Sequence, residues 1–222
     1  MYRHFFKRFL DFTLTLIGLI CLSPAFLLLC VLVRVKLGSP IFFRQLRIGK
    51  NDRPFMMIKF RTMTDARDKN GNLLPDTERF TKFGNFLRNS SLDELPELIN
   101  VLKGDMSLIG PRPLYPIYLP YYTKEEARRH DVRGGITGLA QVNGRALCRW
   151  KDRFAYDVRY VDELSFVNDM KILWRTFFKV VAKDDIGVPS VTDEGGLHIL
   201  REVQQPEKVE LVNRIIAANK QQ

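Results

Sequence analysis

The longest uncharged stretch of this 222-residue chain runs from Phe12 to Val33 and contains 22 consecutive residues without Asp, Glu, Lys or Arg. A helix of that length would measure about 33 Å, which is enough to cross the hydrocarbon core of a bilayer. The segment therefore predicts contact with a membrane before any motif is considered.

The middle of this run holds the pair Ser23-Pro24. Pro24 lacks a backbone donor and clashes with the carbonyl four residues earlier, so it predicts a kink or break. Basic residues flank both ends of the run, which by the positive-inside rule places both ends in the cytoplasm. We expect residues 1–37 to form a re-entrant helix-break-helix with Ser23 and Pro24 at the membrane break, and a straight span is the alternative.

Charge and cysteine content narrow the class of protein to which this chain can belong. The chain has 35 Lys and Arg against 25 Asp and Glu, a net charge of +10, which excludes an acidic disordered chain and suits anionic partners. The three cysteines, Cys21, Cys30 and Cys148, have no metal-ligand spacing, so they predict neither a zinc site nor a disulfide framework. A reducing cytoplasmic location is expected for the rest of the chain.

The remaining pattern predicts a mainly α fold with a small β-hairpin, an α+β class. Two β-rich runs in residues 40–63 surround a turn at 50–53, and residues 64–76 and 133–145 are expected to be loops. Helices are predicted over residues 92–102, 150–164, 169–183 and 206–219. We expect a compact cytoplasmic catalytic domain at 38–185 and a C-terminal extension at 186–222.

The predicted helix at 169–183 mixes Trp174, Phe177 and Phe178 with Lys171 and Lys179. An aromatic and basic helix of this kind is typical of a membrane interface. A helix that packs its aromatic residues into the core is an equally good interpretation of the pattern.

Asp93 and Glu94 stand at the start of the predicted helix 92–102. Acidic residues there complement the helix dipole, and Ser91 with Glu94 matches a capping box, so these residues alone indicate no catalysis. Pro96 favours a helix start at Asp93, which would leave that carboxylate at a helix mouth suited to anions.

Basic residues at the boundaries of predicted elements favour a catalytic role for Asp93 and Glu94 over a purely structural one. Arg112 lies between Pro111 and Pro113, whose restricted backbone suits a preorganised guanidinium for phosphate. A carboxylate pair among several such cations indicates phosphoryl transfer; the other candidate cations are Lys59, Arg88 and Arg145.

The ordered motifs KFRTM, SLDELPELINVLKGDMSLIGPRP and GITGLAQVNGR follow an apolar segment with a central Ser-Pro. Over about residues 1–185 this order resembles the small monotopic phosphoglycosyl transferases of the bacterial sugar transferase family. The resemblance implies an enzyme at the cytoplasmic face of the bacterial inner membrane. It would use Mg²⁺ to transfer a phosphosugar from a UDP-sugar to polyprenol (undecaprenyl) phosphate, initiating glycoconjugate assembly.

Position by position, the resemblance makes Asp93 the nucleophile and a Mg²⁺ ligand, and Glu94 its partner. A ping-pong reaction through a phosphosugar-aspartate would then release UMP before the acceptor reacts. The residues that the resemblance assigns to substrate binding are Lys59, Arg88, Arg112, Arg145 and Asp157.

Two features depart from the family pattern. Gly134 stands where a proline is usual, which is expected to loosen the loop before Arg145, and residues 186–222 lie outside the resemblance. The rival class is a basic membrane-anchored binding module for anionic lipid or nucleic acid, and a third is a membrane phosphatase with an aspartyl intermediate. Without a nucleic-acid-binding signature we expect no nucleic-acid partner, while the donor sugar and a homodimer stay open.

Overall fold

The computed structural model describes residues 2–144, 149–182 and 196–220. The described chain is mostly helical, as the sequence predicts, and has two small sheets, of which the sequence predicts one. The helices are α1 Lys7–Leu37, α2 Asp76–Arg79, α3 Lys82–Asn89, α4 Glu97–Lys103, α5 Lys124–Ala127, α6 Leu139–Asn143, α7 Trp150–Asp162, α8 Phe166–Ala182, α9 Leu197–Leu200 and α10 Glu207–Lys220. The strands are β1 Phe42–Ile48, β2 Pro54–Phe60, β3 Met106–Ile109 and β4 Gly134–Thr137.

Helix α1 is continuous through Ser23-Pro24, so the predicted interruption of helical structure is wrong. The side chain of Ser23 explains the continuity, because its Oγ donates to the carbonyl oxygen of Ile20 at 2.7 Å. That carbonyl is the one that Pro24, four residues on, leaves without an N–H partner. By length and composition α1 could cross a membrane, with a mean hydropathy of 2.8 over its most apolar window.

Both ends of α1 contact the same globular part of the chain. Near its start, Lys7 binds Asp169 of α8 at 2.8 Å, and Asp11 accepts from Ser107 Oγ of β3 at 2.7 Å. Near its end, the buried side chains of Leu29, Val33 and Leu37 form one cluster with Phe60 of β2 and Leu87 of α3. Between these contacts the large apolar side chains are exposed, reaching 64% at Ile20 and 65% at Leu27.

Strands β1 and β2 form the predicted antiparallel hairpin, with Phe43 paired to Lys59. A short 3-10 turn, Lys50–Asp52, joins them, and Asn51 and Asp52 both adopt positive φ there. The hairpin brings Lys59 towards the start of α4.

Strands β3 and β4 form a two-stranded parallel sheet that the sequence did not predict. The segment expected to be a loop at 133–145 thus begins with β4 and continues into α6. Gly134 lies in β4 and is buried, and a Cβ atom there would stand 2.5 Å from Cγ of Pro113. The expectation that Gly134 loosens this segment is therefore wrong, because the missing side chain lets β4 pack under the Pro113 ring.

The C-terminal helices pack onto the rest of the chain. Leu197 of α9 and Val212 of α10 are buried in a cluster with Tyr122, Trp150 and Phe154. Around that cluster, Arg201 contacts both carboxylate oxygens of Glu126 at 2.7 and 2.8 Å, and Lys208 binds Asp52 of the hairpin turn. The domain boundary expected at residue 186 stays a prediction.

Helix α8 has one buried side and one exposed side. Ile172 and Asp169 are buried against the domain, whereas Trp174, Phe177 and Phe178 are 67%, 61% and 49% exposed. The aromatic side chains therefore do not pack into the core.

Candidate active site

The two predicted acids lie on a strained turn before α4. Ser91 adopts a left-handed conformation with φ of 56°, and the 3-10 turn Leu92–Glu94 follows it. Ser91 makes no side-chain cap, so the predicted capping box is absent from this turn. Non-glycine residues with positive φ are uncommon and cluster at functional sites.

Glu94 joins an ion-pair network with two cations. Lys59 Nζ lies 2.7 Å from Glu94 Oε1, and Arg112 Nη2 lies 2.5 Å from the same oxygen. Glu97, which is fully buried, takes part as well: Arg112 Nη1 and Nη2 each lie 3.0 Å from one of its oxygens, and Lys59 Nζ lies 3.3 Å away. Four side chains from β2, the turn, α4 and the Pro-Arg-Pro loop thus meet at one point.

Asp93 differs from its neighbour. Within the described residues its carboxylate has no hydrogen bond and no ion pair within 4.0 Å, although the residue is only 8% exposed. Among the residues that the structure describes, the site therefore holds one unpartnered carboxylate beside two cations that other carboxylates hold in place.

The pKa values of the two acids move in opposite directions. Burial, with help from the charges of Glu94 and Glu97, raises the pKa of Asp93 to about 6 against the opposing pull of Lys59 and Arg112. Burial also opposes ionisation of Glu94, but Arg112 and Lys59 outweigh it and lower the pKa of Glu94 to about 2. At pH 7 both are ionised, and Asp93 is the more basic carboxylate.

A buried arginine fixes the backbone of Arg112. Arg129 Nη2 donates to the carbonyl oxygen of Arg112 at 2.7 Å, and Arg129 itself binds Asp157 through two nitrogens at 2.8 and 3.0 Å. The Arg112 guanidinium also donates to the carbonyl oxygen of Ile136 in β4 at 3.1 Å. The guanidinium is thus held from its backbone and from its tip.

A cavity of about 310 Å³ opens next to this network. Glu94 and Arg112 line it together with residues of α4, β4, α6 and α8, among them the polar Thr137, Gln141, Thr176 and Lys179. The apolar residues of these walls are Leu95, Leu98, Ile136 and Val142. The lining thus combines charged and apolar side chains, which suits a ligand with a phosphate head and an apolar chain.

The structure brings together four of the sequence-predicted site residues: Lys59, Asp93, Glu94 and Arg112. Arg88 makes other contacts: its Nε donates to Thr62 Oγ1 at 2.9 Å, and its guanidinium stands 4.5 Å over the ring of Phe80. Arg145 lies outside the described residues.

Asp157 also does not reach the carboxylates. It is 2% exposed and paired with Arg129, which links it to the backbone of Arg112. Its contact with substrate stays a prediction. Sequence reasoning missed Glu97 and Arg129. For Glu97 a signal existed, because it follows Glu94 by three residues, a spacing that places two side chains on one face of a helix.

The chemistry of the donor set permits Mg²⁺ without a protein cage. Among the described residues no group of three or more His, Cys, Asp or Glu side chains could hold a metal. Mg²⁺ commonly binds one or two carboxylates together with substrate phosphates, and the unpartnered Asp93 offers one such ligand. The residues present therefore fit a metal that arrives with a phosphate substrate.

Comparison with known proteins identifies the family. The sequence profile described as bacterial sugar transferase matches residues 2–183. The chain is 53% identical to the uncharacterized sugar transferase EpsL of Bacillus subtilis, over 81% of this chain and 89% of that protein. A match of this extent shows the family, and the chain belongs to the bacterial sugar transferases.

Two further relatives carry a more specific name, UDP-glucose:undecaprenyl-phosphate glucose-1-phosphate transferase. The protein from Caulobacter vibrioides is 36% identical over 81% of this chain and 71% of its own length. The protein from Klebsiella pneumoniae is 39% identical over 78% of this chain, which spans 40% of that longer protein.

Proposed function

We propose that the protein transfers a sugar 1-phosphate from a UDP-sugar to polyprenol phosphate and releases UMP. One observation carries the proposal: the unpartnered carboxylate of Asp93 lies beside Lys59 and Arg112, which are held by Glu94 and Glu97. Nucleophile and phosphate-binding groups are thus present together. The names of the relatives from Caulobacter and Klebsiella support the donor and acceptor classes.

In the first step, an Asp93 oxygen attacks the sugar-bearing β-phosphorus of the donor. The bond between that phosphorus and the bridging oxygen breaks, and UMP leaves with the oxygen and its electron pair. An acyl phosphate that carries the sugar remains on Asp93. A pKa of about 6 suits this role, because the carboxylate is ionised at pH 7 and still relatively basic.

Lys59 and Arg112 bind phosphate oxygens in this step. In the free protein Glu94 and Glu97 neutralise them, and an arriving diphosphate competes with Glu94 for both cations. Glu97 is fully buried and stays with Arg112, which keeps the guanidinium oriented.

In the second step, a phosphate oxygen of polyprenol phosphate attacks the same phosphorus. The acyl oxygen of Asp93 leaves with its electron pair, which regenerates the carboxylate and gives polyprenyl diphosphate sugar. After the donor phosphates have displaced Glu94 from Lys59 and Arg112, Glu94 orients the acceptor phosphate. Its pKa of about 2 in the paired state makes it a weak base, so orientation rather than deprotonation is its role. Two bulky substrates of unlike polarity then use one nucleophile in turn.

The residues also suit the cofactor that the family implies. Asp93 would hold Mg²⁺ together with substrate phosphates, and the ion would reduce the negative charge on the diphosphate. The apolar walls of the cavity would receive the first isoprene units of the acceptor, and they adjoin α8, whose exposed aromatic face suits the membrane interface.

The contacts of α1 support a re-entrant placement in the bilayer. A single globular unit lies on one side of a membrane, and both ends of α1 contact that unit. The exposed apolar middle of the helix would then lie in the bilayer while both ends stay on the same side. Basic residues at both ends of the helix support the cytoplasmic face of the inner membrane.

The testing experiment separates transfer from its alternatives. Protein in neutral detergent is incubated with Mg²⁺, a panel of UDP-sugars and polyprenol phosphate, and the nucleotide and lipid products are identified. The proposal expects UMP and a polyprenyl diphosphate sugar from at least one donor. A binding module would give no turnover, and a phosphatase would release free phosphate or sugar phosphate without a lipid product.

A further inference from the structure

A second cavity, of about 570 Å³, lies at the N-terminal end of α1. It shares no lining residue with the cavity at Glu94 and Arg112, and none of its residues has a part in the proposed reaction. Five basic and two acidic residues line it: Arg3, Lys7, Arg8, Lys50 and Arg133, with Asp11 and Asp131. The cavity therefore carries an excess of positive charge.

Most of these cations lack a carboxylate partner. Lys7 is neutralised by Asp169 at 2.8 Å. In the described parts of the chain, the side chains of Arg3 and Lys50 make no hydrogen bond and no ion pair. The excess charge is thus available to a ligand.

Arg8 and Arg133 converge on the C-terminal end of α4. Arg8 donates to the carbonyl oxygens of Val101 and Leu102 at 2.6 and 2.9 Å, and Arg133 Nε donates to that of Gly104 at 2.8 Å. These neutral carbonyls fix both guanidinium groups but offer only the partial charge of a helix end. The terminal nitrogens of Arg133 stay available, so the cavity has a preorganised fork.

The surroundings place this cavity at a membrane surface. Phe5, Phe6 and Phe9 precede the apolar run and are 65%, 43% and 56% exposed. Aromatic side chains next to basic ones are typical of the headgroup layer of a bilayer. The cavity thus lies where polar headgroups meet α1.

We propose that this cavity binds the phosphate of an anionic phospholipid headgroup. Guanidinium forks match phosphate oxygens, and a cavity of about 570 Å³ is within the ordinary size of ligand sites, large enough for a phosphoglycerol group. A bound lipid would fix the depth of the N-terminal end of α1, because Arg8 belongs to that helix and Arg133 to the globular domain.

The test compares lipids on the intact protein. Full-length protein in neutral detergent is mixed with phosphatidylglycerol and phosphatidylcholine at equal concentration, and retained lipid is counted by native mass spectrometry. The site variant is Arg3→Gln with Lys50→Gln, which removes two cations that hold no partner. The matched control is Lys69→Gln with Lys124→Gln, which removes the same charge from exposed positions elsewhere.

The proposal expects wild type and control to retain phosphatidylglycerol at least tenfold better than phosphatidylcholine, and the site variant to lose that preference. Equal retention of both lipids by wild type, or equal losses in the two variants, would overturn it. Two competition arms identify the source of the phosphate. If inorganic phosphate or polyprenol phosphate at the same concentration displaces phosphatidylglycerol completely, the cavity is not a phospholipid site.

Discussion

Arg112 binds Glu97 through both of its terminal nitrogens, each 3.0 Å from a different carboxylate oxygen. Glu97 is fully buried, so this bidentate pair fixes the guanidinium from the protein side and leaves its other edge to Glu94 or a substrate. A buried pair of this kind contributes little to net stability, but it fixes the geometry of the guanidinium. Removal of one partner is costly because it leaves the other charge buried without a counter-charge.

The first prediction concerns Glu97. Glu97→Gln keeps the side-chain shape but removes the charge that orients Arg112, so UMP release should fall at least tenfold, about 1.4 kcal/mol of barrier. Steady-state rates at saturating donor and acceptor are the measurement. The control is Glu125→Gln, which disrupts an exposed pair with Arg128 and should leave the rate unchanged. Equal rates for both variants would remove Glu97 from the site.

The second prediction separates geometry from charge at Arg112. Arg112→Lys keeps the charge but loses the planar fork, so activity should fall strongly while co-sedimentation with anionic vesicles stays the same. Arg128→Lys, at an arginine that pairs with Glu125 and Asp162 at the surface, is the control and should behave as wild type. Full activity in Arg112→Lys would contradict the assignment of phosphate binding.

The third prediction distinguishes a structural Asp157 from a substrate contact. Asp157→Asn leaves Arg129 buried without its counter-charge, a change that typically costs about 3 to 5 kcal/mol. The thermal midpoint should drop on the order of 10 °C. Asp162→Asn, at an exposed pair, should shift it by less than about 2 °C. An unchanged midpoint together with a raised KM for the donor would favour direct substrate binding.

The fourth prediction concerns α1. Cysteines placed at residues 4 and 50 should both react with an impermeant reagent in inverted vesicles, which expose the cytoplasmic face. Neither should react in right-side-out vesicles. Pro24→Ala should raise the fraction of protein labelled on opposite sides, because an unkinked apolar helix of this length can cross. Opposite-side labelling in the unaltered protein would establish a straight span.

The fifth prediction follows from the raised pKa of Asp93. Because the native carboxylate has a pKa of about 6 against 3.8 when unperturbed, its charge opposes folding at pH 7.5, by about 3 kcal/mol at most. Asp93→Asn should therefore raise the thermal midpoint at pH 7.5. This advantage should shrink as the pH falls through 6 towards 4, where the native aspartate is protonated. A midpoint equal to that of wild type at pH 7.5 would contradict the buried, charged state.

The local sequence pattern predicts the helices and the hairpin of this fold, because these elements depend on residues that are close in sequence. The hairpin β1-β2, helices α7 and α8, and the tail helix α10 follow from turn residues and periodicity, and the structure confirms them. The β3-β4 pairing was missed because parallel partners lie 28 residues apart at Met106 and Gly134, and short strands carry little signal of their own.

The part of the candidate site that depends on neighbouring residues was also predictable from the sequence. The prolines around Arg112 marked a fixed guanidinium, and the structure places it on Glu94. No role was expected for Glu97, because an acidic residue inside a predicted helix does not reveal its partners in the sequence. Its burial under Arg112 and Lys59 depends on β2 and the Pro-Arg-Pro loop, which meet only in three dimensions.

The covalent phosphosugar on Asp93 is the central claim, and intact mass spectrometry tests it most directly. The protein is incubated with Mg²⁺ and its UDP-sugar in the absence of polyprenol phosphate, and the adduct is mapped by peptide analysis. The account predicts one phosphosugar on Asp93 with an equal amount of UMP, and neither in Asp93→Asn. Transfer that proceeds with acceptor while no adduct and no UMP form without it, or an adduct that persists in Asp93→Asn, would contradict the account.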